Sequence, residues 1–302
     1  MTVPSVPNSI SFQTAASDTK SSSTNRASYC FNRDCAQPKN SFTAKTCNCC
    51  GERLLLKNRY RAVLLIGQGG FGRTFKGVDM SVPQTAYCAI KQFWVQSNSY
   101  GEDKAAALFE QEAQRLAVLG KHRRIPALLD FVAEPHGQYL VQEFVKGPNL
   151  AQKLATDGRW SEKQVRQLLE EMLVLLQFVH QRNHIIHRDI KPENIIQREQ
   201  DGALVLVDFG ASKLVTEASL GMTGTVIGSA AYTAPEQVRG KAIFASDLYS
   251  LGVTCIHLLT QVPPFTLHDS GEDGWTWRQY LQQPVSKPLG NVLDNLLAGA
   301  TN

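Results

Sequence analysis

The chain has 302 residues, 43% of them hydrophobic and 19% charged, which is enough apolar material for a two-lobed core with a smaller appendage. A net charge of +4, scattered along the chain, is too mild to be the footprint of a nucleic-acid binder, so no DNA or RNA partner is expected. No apolar segment follows a basic N-terminal start and no apolar run approaches the ~18 residues of a membrane helix, so neither export nor spanning is expected and the cytoplasm is the default location.

Residues 1–28 are rich in Ser, Thr, Asn and Pro without an apolar period, and cannot bury enough surface to offset their ordering entropy. They are predicted to be a disordered tail. A small module over residues 29–54 then carries Cys30-x4-Cys35, an eleven-residue spacer, and Cys47-x2-Cys50 followed by Gly51. In a reducing compartment two close cysteine pairs predict a tetrahedral four-thiolate zinc site, with Gly51 allowing the tight turn that aims backbone amides at the sulfurs. The first pair is wider than in common zinc ribbons and Cys49 is a spare thiol, so a redox-active or disulfide cluster and inert free thiols stay open. Seven cysteines make an odd count that a disulfide framework does not explain cleanly.

From Arg61 a strand pattern enters Gly67-Gln-Gly69-Gly70-Phe71-Gly72 and leaves as a second strand, Arg73 to Val78. A dinucleotide-binding turn of this spacing would run into a helix, whereas Thr74 and Phe75 favour a strand. Ala89-Ile90-Lys91 lies in another alternating strand, and Lys104 to Leu119 repeats Leu108, Phe109, Leu116 and Leu119 at helical spacing. Leu128–Val132 and Gln138–Phe144 read as a hairpin around Pro135, His136 and Gly137. Ser161-x-x-Gln164 is a capping box opening a long helix whose stripe is Val165, Leu168, Leu169, Met172, Leu173, Leu176 and Val179. His180 and His184, at its end, are expected at the surface or in a cap.

Next comes His187-Arg188-Asp189, with Lys191 and Asn194, then Asp208-Phe209-Gly210 after the apolar run Leu204 to Val207, then Ala234-Pro235-Glu236. A carboxylate, an ammonium and an amide on one short loop are what in-line phosphoryl transfer to a hydroxyl requires: Asp189 to orient and deprotonate the hydroxyl, Asn194 and Asp208 to hold hard magnesium. Ala211 to Tyr232 is polar and aperiodic, which predicts a loop. Ser246 to Leu259 is an apolar helix containing Cys255 as a small buried hydrophobe. Trp275, Trp277 and Tyr280 are expected as an aromatic core cluster, and Leu289 to Leu297 as a last amphipathic helix.

Three motifs in this order and spacing resemble the catalytic loop, metal loop and activation segment of a eukaryotic-type serine/threonine protein kinase. A cysteine module directly ahead of them is similar to that of a group of cyanobacterial serine/threonine kinases. The resemblance implies an α+β fold with a β-rich N-lobe over 60–145 and a helical C-lobe over 146–302, using ATP with Mg2+ or Mn2+ to phosphorylate Ser and Thr of protein substrates. It implies that Lys91 reaches the α- and β-phosphates, that Glu112 (rather than Glu110) pairs with it, and that Lys191 assists Asp189. Ile66, Gly67, Gly69, Gly70, Phe71, Gly72, Thr74, Ala89, Glu143, Val145, Asn149 and Ile196 would surround the nucleotide, with polar Gln142 guarding the back pocket. His187 would pack under Phe209, and Asp247 would bind catalytic-loop amides. Counting back from Glu236 places the activation-loop hydroxyl at Thr225, with Thr223 beside it and Ser229 near Lys191 and Asp189; Arg188 would wait for a phosphate there. In the family an arginine near the final helices holds the Glu of Ala-Pro-Glu. After Arg239 this sequence has only Arg278, in another context, so a shortened C-lobe with a buried, unpartnered Glu236 is expected. The alternatives are a pseudokinase scaffold or a zinc-dependent adaptor, and the cysteine module is a place for a partner or regulator.

Overall fold

A computed structural model describes residues 27–69, 72–93, 102–134, 137–209, 230–269 and 274–298. The tail therefore lies outside the described residues except for its end, where Ser28 is fully buried in strand β1 (Ala27–Tyr29), which pairs antiparallel with β2 (Lys39–Ser41). The chain divides into two compact units, Met1–Gln96 with Val132–Val141, and Ser97–Phe131 with Gln142–Asn302.

In the first unit, β3 (Tyr60–Gly69), β4 (Gly72–Asp79) and β5 (Ala86–Phe93) form an antiparallel meander. The five-stranded sheet is completed by β6 (Leu128–Glu134) and β7 (Gly137–Glu143) in the order β3-β4-β5-β7-β6. Alternation along β4 buries Arg73 and Phe75 and leaves Thr74 and Lys76 partly exposed, as a strand with one covered face requires. That covered face contributes Phe75 and Ile90 to a core with Tyr60, Tyr139 and Val141, and the same core includes Phe31 from the cysteine segment. At the far end of the meander, Arg59 bonds both Asp79 oxygens at 2.7–3.1 Å. That bond is the first reason the Asp79 carboxyl sits well below its usual range.

The second unit is helical. Helix α1 (Glu102–Leu119) buries Phe109, Ala113, Leu116 and Leu119. Asn149 caps α2 (Leu150–Asp157), and the Ser161–Gln164 capping box opens α3 (Glu162–Gln177), which runs into one wider π turn at Phe178–Arg182. The buried stripe of α3 matches the apolar period except that Leu175 is buried where Leu173 is only half-buried. The hairpin of β8 (Ile195–Gln197) and β9 (Leu204–Leu206) follows. Then come the short α4 (Pro235–Val238), the buried α5 (Phe244–Thr260), the single turn α6 (Pro264–Leu267) and α7 (Lys287–Leu297). Gly252 lets α5 and α7 touch: a side chain there would meet Leu296 Cβ at 2.9 Å. Of the expected aromatic cluster only Trp277 is fully buried, while Trp275 and Tyr280 are half-exposed.

Within this unit the Tyr232 hydroxyl bonds His257 Nδ1 at 2.6 Å. Burial lowers the His257 pKa to about 4, so the folded chain keeps this imidazole neutral where the unfolded chain protonates it. The contribution to stability is complete above the ordinary histidine pKa near 6.5 and is lost as pH falls toward 4. Melting temperature is expected to fall steadily between pH 7 and pH 5, and His257→Gln, which keeps an acceptor for Tyr232, is expected to flatten that slope.

Candidate active site and thiolate cluster

The loop from His187 to Asn194 is shaped by one buried carboxylate. Asp247, on α5 and fully buried, accepts the His187 amide on Oδ2 and the Arg188 amide on Oδ1, both at 2.8 Å, and lies 2.7 Å from His180 Nε2. His180 is thus no surface residue, contrary to the expectation from sequence: it is buried and stacked on Phe244 with ring centroids 4.8 Å apart. Its position four residues after Leu176 continues the buried stripe of α3, which was the signal for it. His184, by contrast, is exposed.

Arg188 (φ 71°) and Asp208 (φ 67°) both sit in the left-handed region, which costs a non-glycine residue roughly 1–3 kcal/mol and persists only where the surroundings hold it. For Arg188 those surroundings are Asp247 on its amide and Gln237 Nε2 on its carbonyl, 2.7 Å away. The turn that results faces Asp189 toward two donors. Lys191 Nζ lies 3.0 Å from each Asp189 oxygen, and Asn194 Nδ2 donates at 2.8 Å to both the backbone carbonyl and Oδ2 of Asp189. With its nitrogen so occupied, Asn194 offers a cation its amide oxygen. Val207 bonds the Asn194 carbonyl at 2.9 Å through its own amide, which sets Asp208 one residue beyond the same loop. His187 is fully buried, edge-on to Phe209 at 4.7 Å; it donates from Nε2 to the Val207 carbonyl and accepts the Asp189 amide on Nδ1. Burial lowers its pKa, so it is a neutral spacer.

The other predicted residues fall on both units. In the first, Ile66, Gly67 and Gly69 end β3, Gly72 and Thr74 begin β4, and Ala89 and Lys91 lie on β5, with Thr74 directly opposite Lys91. Gly72 is required by contact, since a side chain there would strike the Gln92 carbonyl. In the second, Glu112 is buried on α1 while Glu110 is exposed. Val145 is buried, and the Glu143 amide donates to the Ala127 carbonyl at 2.8 Å. Asn149 uses its side-chain oxygen to cap α2 and bridges to Ile196 through the backbone, which leaves only its amide nitrogen for a ligand. Gln142 is buried, and its Oε1 has no hydrogen-bond partner among the described residues. Gly70, Phe71, Thr223, Thr225 and Ser229 lie outside the described residues. Glu236 is half-buried rather than buried, and accepts a 2.5 Å bond from Ser246 Oγ; Arg278 is taken by Asp294 at 2.6 and 2.7 Å. Sequence reading missed Arg115 on α1. Its Nη1 is buried without a hydrogen-bond partner among the described residues, and its pKa is lowered by burial and by the charge of Arg188.

The thiols of Cys30, Cys35, Cys47 and Cys50 converge, with all four sulfurs within 4.8 Å of one another. Cys30–Cys50 and Cys35–Cys47 are separated by 3.5 and 3.6 Å, close to the ~3.8 Å edge of a tetrahedron with 2.3 Å zinc–sulfur bonds. Amides point at the sulfurs, as at a thiolate site: Asn32 N reaches Cys30 and Asn40 Nδ2 reaches Cys47, each at 3.4 Å. At Cys47 burial raises the pKa, but the Cys50 and Cys49 amides and Asn40 outweigh it and bring the thiol to about 6; burial and neighbouring thiols push Cys35 up to about 12. The donor set therefore fits a tetrahedral metal. Cys49 is exposed and stands outside the group.

A sheet-rich unit, a helical unit and an Asp-Lys-Asn loop seated on a buried carboxylate are the parts of a protein kinase. Residues 60–291 match the family model described as protein kinase domain, and the chain belongs to that family. It is similar to serine/threonine-protein kinase B of Synechocystis sp., 39% identical over 280 residues, covering 89% of this chain and 48% of that protein. It is also similar to serine/threonine-protein kinase F of the same organism, 42% identical over 268 residues, covering 83% and 53%. This chain thus spans about half the length of the curated relatives it matches. The solved structure titled PpkA-294 apo form shares the fold, with a TM-score of 0.63 at 24% identity over 80% of this chain and 90% of that one. Among the described residues no helix is long and apolar enough to cross a membrane.

Because Asp247 satisfies two amides and a histidine at once, Asp247→Ala is expected to cost roughly 3–5 kcal/mol. Asp247→Asn, which keeps one acceptor, is expected to cost less. Denaturant midpoints of the two variants check this.

Proposed function

We propose that this chain transfers the γ-phosphate of ATP to serine and threonine hydroxyls of proteins, itself included, in the cytoplasm. The observation that carries the reading is the convergence of Lys191 and Asn194 on the Asp189 carboxylate. The ammonium and the Asn194 amide hold that carboxylate in one orientation, from which it can accept the proton of an attacking hydroxyl. Lys191 would then be placed to neutralise charge that builds on the transferred group. Asn194 and Asp208 would hold magnesium or manganese, which when bound would offset the negative charge of the triphosphate. Lys91 would bind the α- and β-phosphates with Glu112 as its partner, under the glycine-rich turn between β3 and β4. The backbone of Glu143 and Val145 would hold adenine, with Ile66, Ala89 and Ile196 against its faces, Thr74 above it and Asn149 toward the ribose.

Arg188 and Arg115, each with one buried guanidinium nitrogen that has no hydrogen-bond partner among the described residues, support regulation by a phosphate group, and Thr225, with Thr223 as neighbour, is the proposed acceptor; Ser229 would contact Lys191 and Asp189. The thiolate cluster would hold one structural zinc, with the cysteine segment open to a partner or regulator.

Asp189→Asn is expected to lower phosphate transfer to a casein-type substrate by roughly 10²–10⁴-fold while leaving nucleotide affinity nearly unchanged, since it removes the base and no metal ligand. Turnover in that variant at the rate of the parent would refute the assignment. Elemental analysis is expected to find one zinc per chain, lost in the Cys47→Ser, Cys50→Ser double variant and kept in Cys49→Ser.

A further inference from the structure

The cysteine segment is built into the nucleotide-side sheet of the first unit through a closed set of buried polar bonds. Antiparallel pairing sets Arg73 opposite Gln92, Thr74 opposite Lys91 and Phe75 opposite Ile90. The pleat therefore turns Arg73, Phe75, Ile90 and Gln92 to one face and Thr74 and Lys91 to the other. Phe31, next in sequence to the thiol Cys30, covers the first face: its ring lies edge-on to Phe75 at 5.7 Å and to Tyr139 at 5.4 Å. Its carbonyl accepts from Arg73 Nη2 at 3.0 Å and from Gln92 Nε2 at 2.6 Å. Arg73 also donates to Gln92 Oε1 through Nε and Nη2, and Gln92 Nε2 reaches the Tyr139 hydroxyl at 3.1 Å. Arg73 is 9% exposed, Gln92 2% and Phe31 4%.

Burying a guanidinium is costly unless charge compensates it. A second one, Arg61, is 4% exposed and bonds Ser28 Oγ and the Ala44 carbonyl, both neutral, with Ala44 packed against the cysteine cluster. A tetrathiolate with a divalent metal would carry a net charge of −2, which complements the two buried arginines tied to the segment, Arg73 through the Phe31 carbonyl next to Cys30 and Arg61 through the Ala44 carbonyl. Of the two, Arg73 stands beside Gly72, which the turn over the phosphates needs, and its cross-strand partner Gln92 stands beside Lys91.

We propose that Arg73 and Gln92 are positioning residues that couple metal occupancy of the Cys30–Cys35–Cys47–Cys50 cluster to the strands carrying Gly72 and Lys91. Loss of the metal releases the Phe31 carbonyl, and with it the alignment of β4 and β5. The consequence for nucleotide rests on the reading of Lys91 and the glycine-rich turn given above; the consequence for the strands does not.

The test uses the full 302-residue chain, zinc-loaded or stripped with a chelator. It reads amide hydrogen exchange across residues 72–79 and 86–93 and the affinity for a non-hydrolysable ATP analogue. In the parent, stripping is expected to accelerate exchange on both strands and to weaken the analogue by roughly tenfold, the scale of one charge-assisted hydrogen bond. Arg73→Met is expected to show both changes with one zinc still bound, and stripping it is expected to add nothing. Arg73→Lys, which keeps a donor to the Phe31 carbonyl, is expected to recover most of the affinity. A merely structural loss would reduce the amount of competent protein and leave the affinity of the remainder as in the parent. The proposal is overturned if the chain takes up no metal, if zinc-loaded Arg73→Met exchanges and binds as the parent does, or if stripping affects that variant as strongly as the parent. A parent that shows the exchange response but binds no analogue would overturn the nucleotide reading and uphold the coupling of strands to metal.

Discussion

The second unit depends on the Asp247 carboxylate. It is buried in the first turn of a helix that is apolar nearly all round, and its two oxygens are spent on the amides of two successive loop residues and on one imidazole. A charge in such a place is tolerable only when every lone pair is used, so the need to satisfy Asp247 and the need to hold Arg188 at positive φ have one solution. That solution fixes the peptide before Asp189. The Asp189 side chain then gains its own partners from residues two and five positions on, so a long-range anchor and short-range contacts act in series on the same few atoms.

The first unit solves a related problem with a different device. Its sheet presents one face to a segment too short to have a core of its own, and that segment contributes an aromatic wedge, Phe31, to the sheet's core instead. The thiolate cluster sits at the end of the wedge. A module of this size gains stability from a metal because its apolar area is insufficient. Here the four-cysteine cluster and the apolar wedge adjoin, Phe31 following Cys30 directly in sequence.

Two histidines show how far composition misleads about chemistry. His187 and His257 are of the residue type most associated with proton transfer near neutrality, yet burial lowers the pKa of both. They act as neutral hydrogen-bonding spacers, one between the Asp189 amide and the Val207 carbonyl and one beneath Tyr232.

Much of this was legible in the sequence, for a physical reason: the parts concerned are local. The glycine spacing, the capping box at Ser161, the apolar period of α3 and the loop from His187 to Asn194 each depend on residues within a few positions of one another, so spacing alone carries the geometry. The family membership follows from those same local motifs in order. What the sequence could not contain was the outcome of competition for long-range partners. His180 looked like a helix-end residue until Asp247, sixty-seven positions away, made it a buried one; Trp277 rather than its neighbours won the core; Glu236 found the Ser246 hydroxyl. The cysteine spacing allowed a zinc site, a disulfide or free thiols, and only the fold brought the four sulfurs within 4.8 Å while leaving Cys49 aside. In sequence Arg73 is only the first residue of a strand pattern. Its burial under Phe31 is decided by which segment covers that face of the sheet, and nothing within a few residues of Arg73 specifies this.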